Sequence, residues 1–125
     1  RALIVDDEEM VRQVFKRGLA SEFPGLTIEL ATNGLEAMKL FHLGHHGLVL
    51  MDLYMPLMNG ERAYREIEGY CVKQNWAMPS VIFCTGYNAS PDVRRIVAAN
   101  PRHCVLQKPV KNQTLVDAVR SRLGV

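Results

Sequence analysis

The stretch Leu48-Val-Leu-Met-Asp-Leu-Tyr-Met-Pro-Leu-Met-Asn-Gly60 runs from four apolar residues directly into a carboxylate, Asp52, and then into a turn-rich Met-Pro and Asn-Gly segment. An unbroken apolar run bounded by turn signals reads as a strand covered on both faces, since a strand with one wet face would alternate. Asp52 therefore closes a strand where water is scarce. Carboxylates are rarely found there unless something pairs with them or they react. The rest of the chain has to supply the partner.

Outward from this strand, short β-rich runs alternate with amphipathic stretches. Ala2 to Val5 precedes Val11 to Phe23, Leu26 to Ala31 precedes Leu35 to Leu43, and Leu48 to Met51 precedes Glu61 to Gln74. Ser80 to Cys84 then precedes Asp92 to Ala99, and Cys104 to Leu106 precedes Leu115 to Leu123. The repeated βα pattern predicts one doubly wound α/β domain with a parallel sheet. Ile28 and Leu30 alternate with Thr27, Glu29 and Ala31, as an edge strand would. Val11, Phe15 and Leu19 recur every fourth residue, and Ala63, Tyr64, Ile67, Tyr70 and Cys71 form a second stripe, so both sets are expected in the core. Pro24-Gly25, Asn33-Gly34, Asn59-Gly60 and Asn100-Pro101 mark turns, and Asn33 and either Ser90 or Asp92 are expected helix caps.

With 125 residues and 48% hydrophobic content the chain is sized for one domain with a substantial core. No apolar run nears the roughly 18 residues that span a bilayer, and RALIVDDEE lacks the layout of a signal peptide, so a soluble protein with no membrane contact is expected. The three cysteines show no Cys-x-x-Cys spacing, which points to reduced thiols and a cytoplasmic location. Arg1 almost abuts the first strand without an initiator Met, and a segment excised from a longer chain is expected. A net charge of +2 is too small to argue for nucleic acid. The charge is uneven, however: residues 1–90 hold 8 Lys/Arg and 11 Asp/Glu, and residues 91–125 hold 7 and 2. The basic end is either a solvated surface or a docking face for an acidic partner.

In an open parallel sheet, ligands bind at the carboxyl ends of the strands. Asp6 and Asp7 end the first strand, Asp52 the third and Thr85 the fourth, and Lys108 follows the fifth. Carboxylates gathered there repel one another, so some stay protonated or a cation joins them. Oxygen ligands without His or Cys favour a hard ion, Mg²⁺ or Mn²⁺, which binds phosphoryl oxygens well. Lys108 adds a positive charge and Thr85 a hydroxyl donor, and both suit an oxygen-rich group whose charge must be stabilised in transfer. The set describes a phosphoryl-transfer site in which one carboxylate is the candidate nucleophile.

These residues also carry a resemblance. The acidic pair in LIVDDEE, the segment Asp52-Leu-Tyr-Met-Pro-Leu-Met-Asn-Gly60, Thr85 after VIFC, and Lys108-Pro109 together resemble the receiver domain of two-component response regulators, over Ala2 to Leu123. The resemblance implies a flavodoxin-like three-layer fold, five parallel strands in the order 2-1-3-4-5. It implies that Asp52 accepts a phosphoryl group from a histidine kinase or phosphotransfer protein in a phosphorelay. Mg²⁺ (or Mn²⁺) would be held by Asp7, Asp52 and the backbone carbonyl of Tyr54, with Asp6 acting through water, and no other cofactor is implied. Lys108 would pair with Asp52 or its phosphate, Thr85 would bond a phosphate oxygen and shift on activation, and Lys108-Pro109 would be cis. The protein would be a signalling module rather than an enzyme, assisting only its own phosphorylation and dephosphorylation. Its helix–strand–helix face at residues 92–123 would meet an output domain, a protein partner or a second copy in a homodimer, with no direct nucleic-acid contact.

The sequence departs from that pattern at Val105, where the family usually has an aromatic residue that changes rotamer with the Thr. Tyr87 is an aromatic two residues after Thr85 that either compensates or is a surface tyrosine, and Gly86 should loosen that loop. Tyr54 is bulky and is expected to shield the phosphoryl group in part and to affect its lifetime. Val105 favours a rival reading, a phosphorylation-independent scaffold. A phosphatase of the haloacid-dehalogenase type would need its nucleophile after the first strand, where DDEE stands, and a nucleotide-binding Rossmann domain would need a Gly-rich loop there. Asp6 and Asp7 have a plainer reading as helix caps. His42, His45 and His46 lack a regular carboxylate or Cys partner for a metal, the six methionines read as core and turn filler, and Cys84 as a buried inert thiol.

Overall fold

The structure is a computed structural model in which residues 1–124 are described. Five parallel strands pair in the order β2-β1-β3-β4-β5. They are β1 (Ala2–Val5), β2 (Ile28–Ala31), β3 (Leu48–Asp52), β4 (Ser80–Thr85) and β5 (Cys104–Gln107). The five helices are α1 (Glu9–Glu22), α2 (Gly34–Gly44), α3 (Gly60–Gln74), α4 (Pro91–Ala99) and α5 (Asn112–Leu123).

The continuous apolar strands are explained by the two cores they feed. Leu3, Val5, Val49, Met51, Val81 and Phe83 face one side of the sheet, with Phe41, Ile67 and Val93 from α2, α3 and α4 packed over them. Ile4, Leu48, Leu50, Ile82 and Cys84 face the other side, against Phe15 and Leu19 of α1 and Leu115 and Val119 of α5. Successive residues of a strand point to opposite faces, so a strand covered twice must be apolar throughout. β2 lies at the sheet edge, as its alternation predicts, and three of its four residues are only partly buried.

Capping side chains set several helix starts. Asn33, Asn59 and Ser90 each accept a backbone N–H three residues on, from Glu36, Arg62 and Val93. Of the two candidates for α4, Ser90 is the cap, and Pro91 occupies the first turn where its missing N–H costs nothing. α1 begins at Glu9 and α5 at Asn112, earlier than the apolar pattern places them, because Glu9 and the Asn112–Thr114 turn are polar and Met10 points to solvent off the buried stripe. β2 starts at Ile28 rather than Leu26. The Lys108-Pro109 peptide bond is cis.

Gly60 is required by a close approach. A Cβ built there would lie 2.1 Å from the carbonyl oxygen of Asp52, while the Gly60 N–H donates to the Leu53 carbonyl at 3.0 Å. The Asn-Gly pair of the opening stretch thus caps α3 and lets its first turn rest on the backbone of the strand end.

Candidate functional site

Strand register brings the polar residues together. Asp52 lies opposite Cys84 and Thr85 opposite Gln107, and the ladder continues past β5 as the Lys108 N–H donates to the Thr85 carbonyl at 2.7 Å. On the other flank the Asp6 N–H donates to the Ala31 carbonyl, extending β1 by one residue. Asp6, Asp52 and Thr85 are all buried, whereas Asp7 is exposed at the rim.

Lys108 sits between two carboxylates. Its Nζ is 2.6 Å from Asp6 Oδ2 and 3.6 Å from Asp52 Oδ2. Asp52 was the expected partner, but Asp6 is the nearer one, and both lie within ion-pair distance. Burial opposes the charge on Lys108, yet the hydrogen bond and charge of Asp6, with Asp52 and Glu8, outweigh it and hold the ammonium above its ordinary pKa. Asp52 goes the other way for a carboxylate. Burial first, then the charge of Asp6, pushes it up to about 6, with Lys108 and the Tyr54 N–H only partly opposing. That N–H donates to Asp52 Oδ1 at 3.3 Å.

The remaining lone pairs of the acidic corner are partly engaged. Asp6 Oδ1 accepts the Glu8 N–H at 2.9 Å, so Asp6 does steady the approach to α1, while Glu8 at the cap position makes no side-chain cap bond. Arg12 donates to the Asp6 backbone carbonyl at 2.7 Å. Carboxylate oxygens of Asp6, Asp7 and Glu8 lie within 4.8 Å of one another, with Asp52 outside that tight group. Glu8 and Arg12 are participants that sequence reading passes over; DDEE holds a hint of Glu8, but nothing in the residue pattern marks Arg12. Such an all-oxygen donor set, next to a carboxylate whose ionisation is suppressed by burial and by the charge of Asp6, fits a hard divalent cation.

Thr85 Oγ1 accepts the Tyr87 N–H at 3.1 Å, leaving the hydroxyl hydrogen free to donate. Above Asp52 opens a cleft of about 780 Å³, walled by Asp7, Tyr54, Tyr87 and Lys108 and by Met10 and Val14 of α1. Val105 lies opposite Phe83 and is only partly buried against the α2–α3 core. The family whose description reads "Response regulator receiver domain" matches residues 2–120. The chain belongs to that family. As a receiver domain of two-component response regulators it shares 29% identity over 119 residues with the chemotaxis protein CheY of Halobacterium salinarum, covering 95% of this chain and 92% of that one. It is 28% identical over 123 residues to the hybrid signal transduction histidine kinase K of Dictyostelium discoideum, of which it spans 10%. The CheY-like receiver domain of Methanospirillum hungatei superposes with a TM-score of 0.78 at 27% identity, covering 98% of this receiver and 93% of that chain. Receiver domains interact with histidine kinases and output domains, and generally bind Mg²⁺ at an acidic pocket.

The histidines of HLGHHG stand apart from the receiver site. His46 is fully buried and its Nε2 lies 2.6 Å from Glu29, so the absence of a carboxylate partner expected from sequence is corrected. β2 brings Glu29 to it across the sheet edge, a contact 17 residues apart in the chain. His45 stacks on Trp76 and His42 on Tyr70. All three serve packing between α2, α3 and the sheet.

Proposed function

We propose that Asp52 is the phosphoacceptor of this receiver and that Lys108 and Thr85 hold the oxygens of the incoming group. The observation that carries this is the meeting of Asp6, Asp52, Thr85 and Lys108 at one strand edge, with the lysine bridging the two carboxylates. Mg²⁺ (or Mn²⁺) would be held by Asp7, Asp52 and the Tyr54 carbonyl, with Asp6 contributing through water. When bound, the ion supplies positive charge against the carboxylates and the phosphoryl oxygens. A carboxylate oxygen of Asp52 attacks phosphorus of a phosphohistidine; the P–N bond breaks and its electron pair returns to the imidazole. The Lys108 ammonium and the Thr85 hydroxyl hydrogen face the phosphoryl oxygens as charge develops on them. The signal ends when water attacks phosphorus, the bond to Asp52 breaks, and carboxylate and inorganic phosphate are restored. Tyr54, half-exposed over the cleft, shields that phosphorus in part.

The donor is a histidine kinase or phosphotransfer protein, and the basic face of α4, β5 and α5 meets an output domain, a partner with an acidic surface or a second copy. We place the domain in the cytoplasm as one receiver unit of a longer protein, a reading supported by the hybrid kinase relative. No helix of the described residues is long and apolar enough to cross a membrane. The test is intact mass after acetyl phosphate with Mg²⁺. One labile phosphoryl adduct is expected, absent in Asp52→Asn and lost faster in Tyr54→Asn; no adduct with any donor would refute the acceptor role.

A further inference from the structure

The loops on either side of Asp52 are tied to each other across the cleft. Tyr54, after β3, and Tyr87, after β4, meet edge to face with ring centroids 5.1 Å apart. The Tyr54 hydroxyl donates to the Asn88 carbonyl at 3.3 Å, and the Tyr87 N–H donates to Thr85 Oγ1 at 3.1 Å. Thr85 is thereby connected through Tyr87 to Tyr54, which itself donates its N–H to Asp52. Tyr54 and Tyr87 are 50% and 68% exposed as residues, so this arrangement owes little to burial in a core. The intervening loop is not wedged either, since a Cβ at Gly86 would meet nothing within 4 Å. β5 offers no ring near Thr85, because Val105 stands opposite Phe83. Tyr54 is thus the aromatic neighbour of Tyr87, and the Thr85 hydroxyl, by accepting the Tyr87 N–H, has its rotor confined and its O–H left to donate.

We propose that Tyr87 is a positioning residue for the acceptor reaction, strapped by Tyr54 so that its backbone N–H aims the Thr85 hydroxyl at the phosphoryl group on Asp52. The proposal rests on the reading of Asp52 as the acceptor. Its test follows the rate of phosphoryl uptake from acetyl phosphate with Mg²⁺, by intact mass, in Tyr87→Ala and Tyr87→Phe, each with Thr85 present and in a Thr85→Ala background. Tyr87→Ala is expected to slow uptake by about 2- to 10-fold, the scale of one positioned hydrogen bond. Tyr87→Phe, which keeps the ring, should restore the rate, and Tyr87→Ala should change nothing once Thr85 is gone. Unchanged uptake in Tyr87→Ala, or the same slowing in both backgrounds, overturns the positioning role while leaving the acceptor intact. A chain that takes up no phosphoryl group at all overturns the acceptor reading, and this one with it.

Discussion

Asp52 is held in the folded protein against its own ionisation. Its carboxyl sits at about 6, above the 3.8 of an unperturbed aspartate, so the folded state binds the proton more tightly than the unfolded chain between those values. Without divalent metal, stability from this residue rises as pH falls through 6 toward 4, and above 6 the buried charge is a net cost. Asp52→Asn removes that cost. We expect the variant to be more stable by about 2 to 3 kcal/mol at pH 7.5, with the gain gone near pH 4. Urea denaturation across that range measures it, and no pH-dependent gain would show that Lys108 fully offsets the burial. That a buried carboxylate would need partners is legible from Met51-Asp52 alone. Which partner is closer to the lysine was not, because the 2.6 and 3.6 Å separations depend on rotamers and loop paths with no sequence signature.

The junction of β3 and α3 depends on a residue that has no side chain. With a Cβ at Gly60 only 2.1 Å from the Asp52 carbonyl oxygen, the neighbour is backbone and cannot swing away. Gly60→Ala should lose about 1 to 3 kcal/mol, as overpacked sites do, and shift the strand end that carries Asp52. Gly25→Ala, where a Cβ would meet nothing within 4 Å, is the control and should change stability by no more than about 0.5 kcal/mol. Equal midpoints for the two in urea would refute the close-approach account. Between these elements Leu57 has φ of 68° and is largely exposed, the one non-glycine residue of that loop in the left-handed region. The Asn-Gly signal placed the turn correctly. It did not tell whether Gly was needed for a positive φ or for room, and here it is room.

Across the whole molecule two buried histidines lie at the end of the sheet away from Asp52. His103 Nδ1 accepts the Val81 N–H at 3.0 Å, so its proton is on Nε2, 3.3 Å from the Tyr64 hydroxyl. Burial, then Arg102 and Arg122, lowers its pKa. For His46 burial lowers the pKa although Glu29 pulls the other way; the neutral ring fits, since Nε2–H serves Glu29 and a proton on the buried Nδ1 would find no partner. Lowered pKa values mean stability that is complete above about 6.5, the ordinary histidine value, and lost as pH falls below it. Between pH 7 and 5 the histidines should lower the urea midpoint while Asp52 raises it, so His103→Gln, which removes one of the lowering contributions, should hold its midpoint better than the parent over that range; equal slopes would show that His103 is not protonated on unfolding.

Sequence by itself determined the doubly wound fold, the edge strand β2 and the arrival of Asp6, Thr85 and Lys108 at the same sheet edge as Asp52, because strand period, apolar continuity and turn chemistry are local and the carboxyl ends of parallel strands must share one edge. Only the tertiary structure decided that Lys108 leans to Asp6, that Glu29 meets His46, that His103 plugs the β4–β5 start and that Tyr54 and Tyr87 touch across the cleft. Those contacts join residues distant along the chain, and their geometry is set by packing, which no period or spacing encodes.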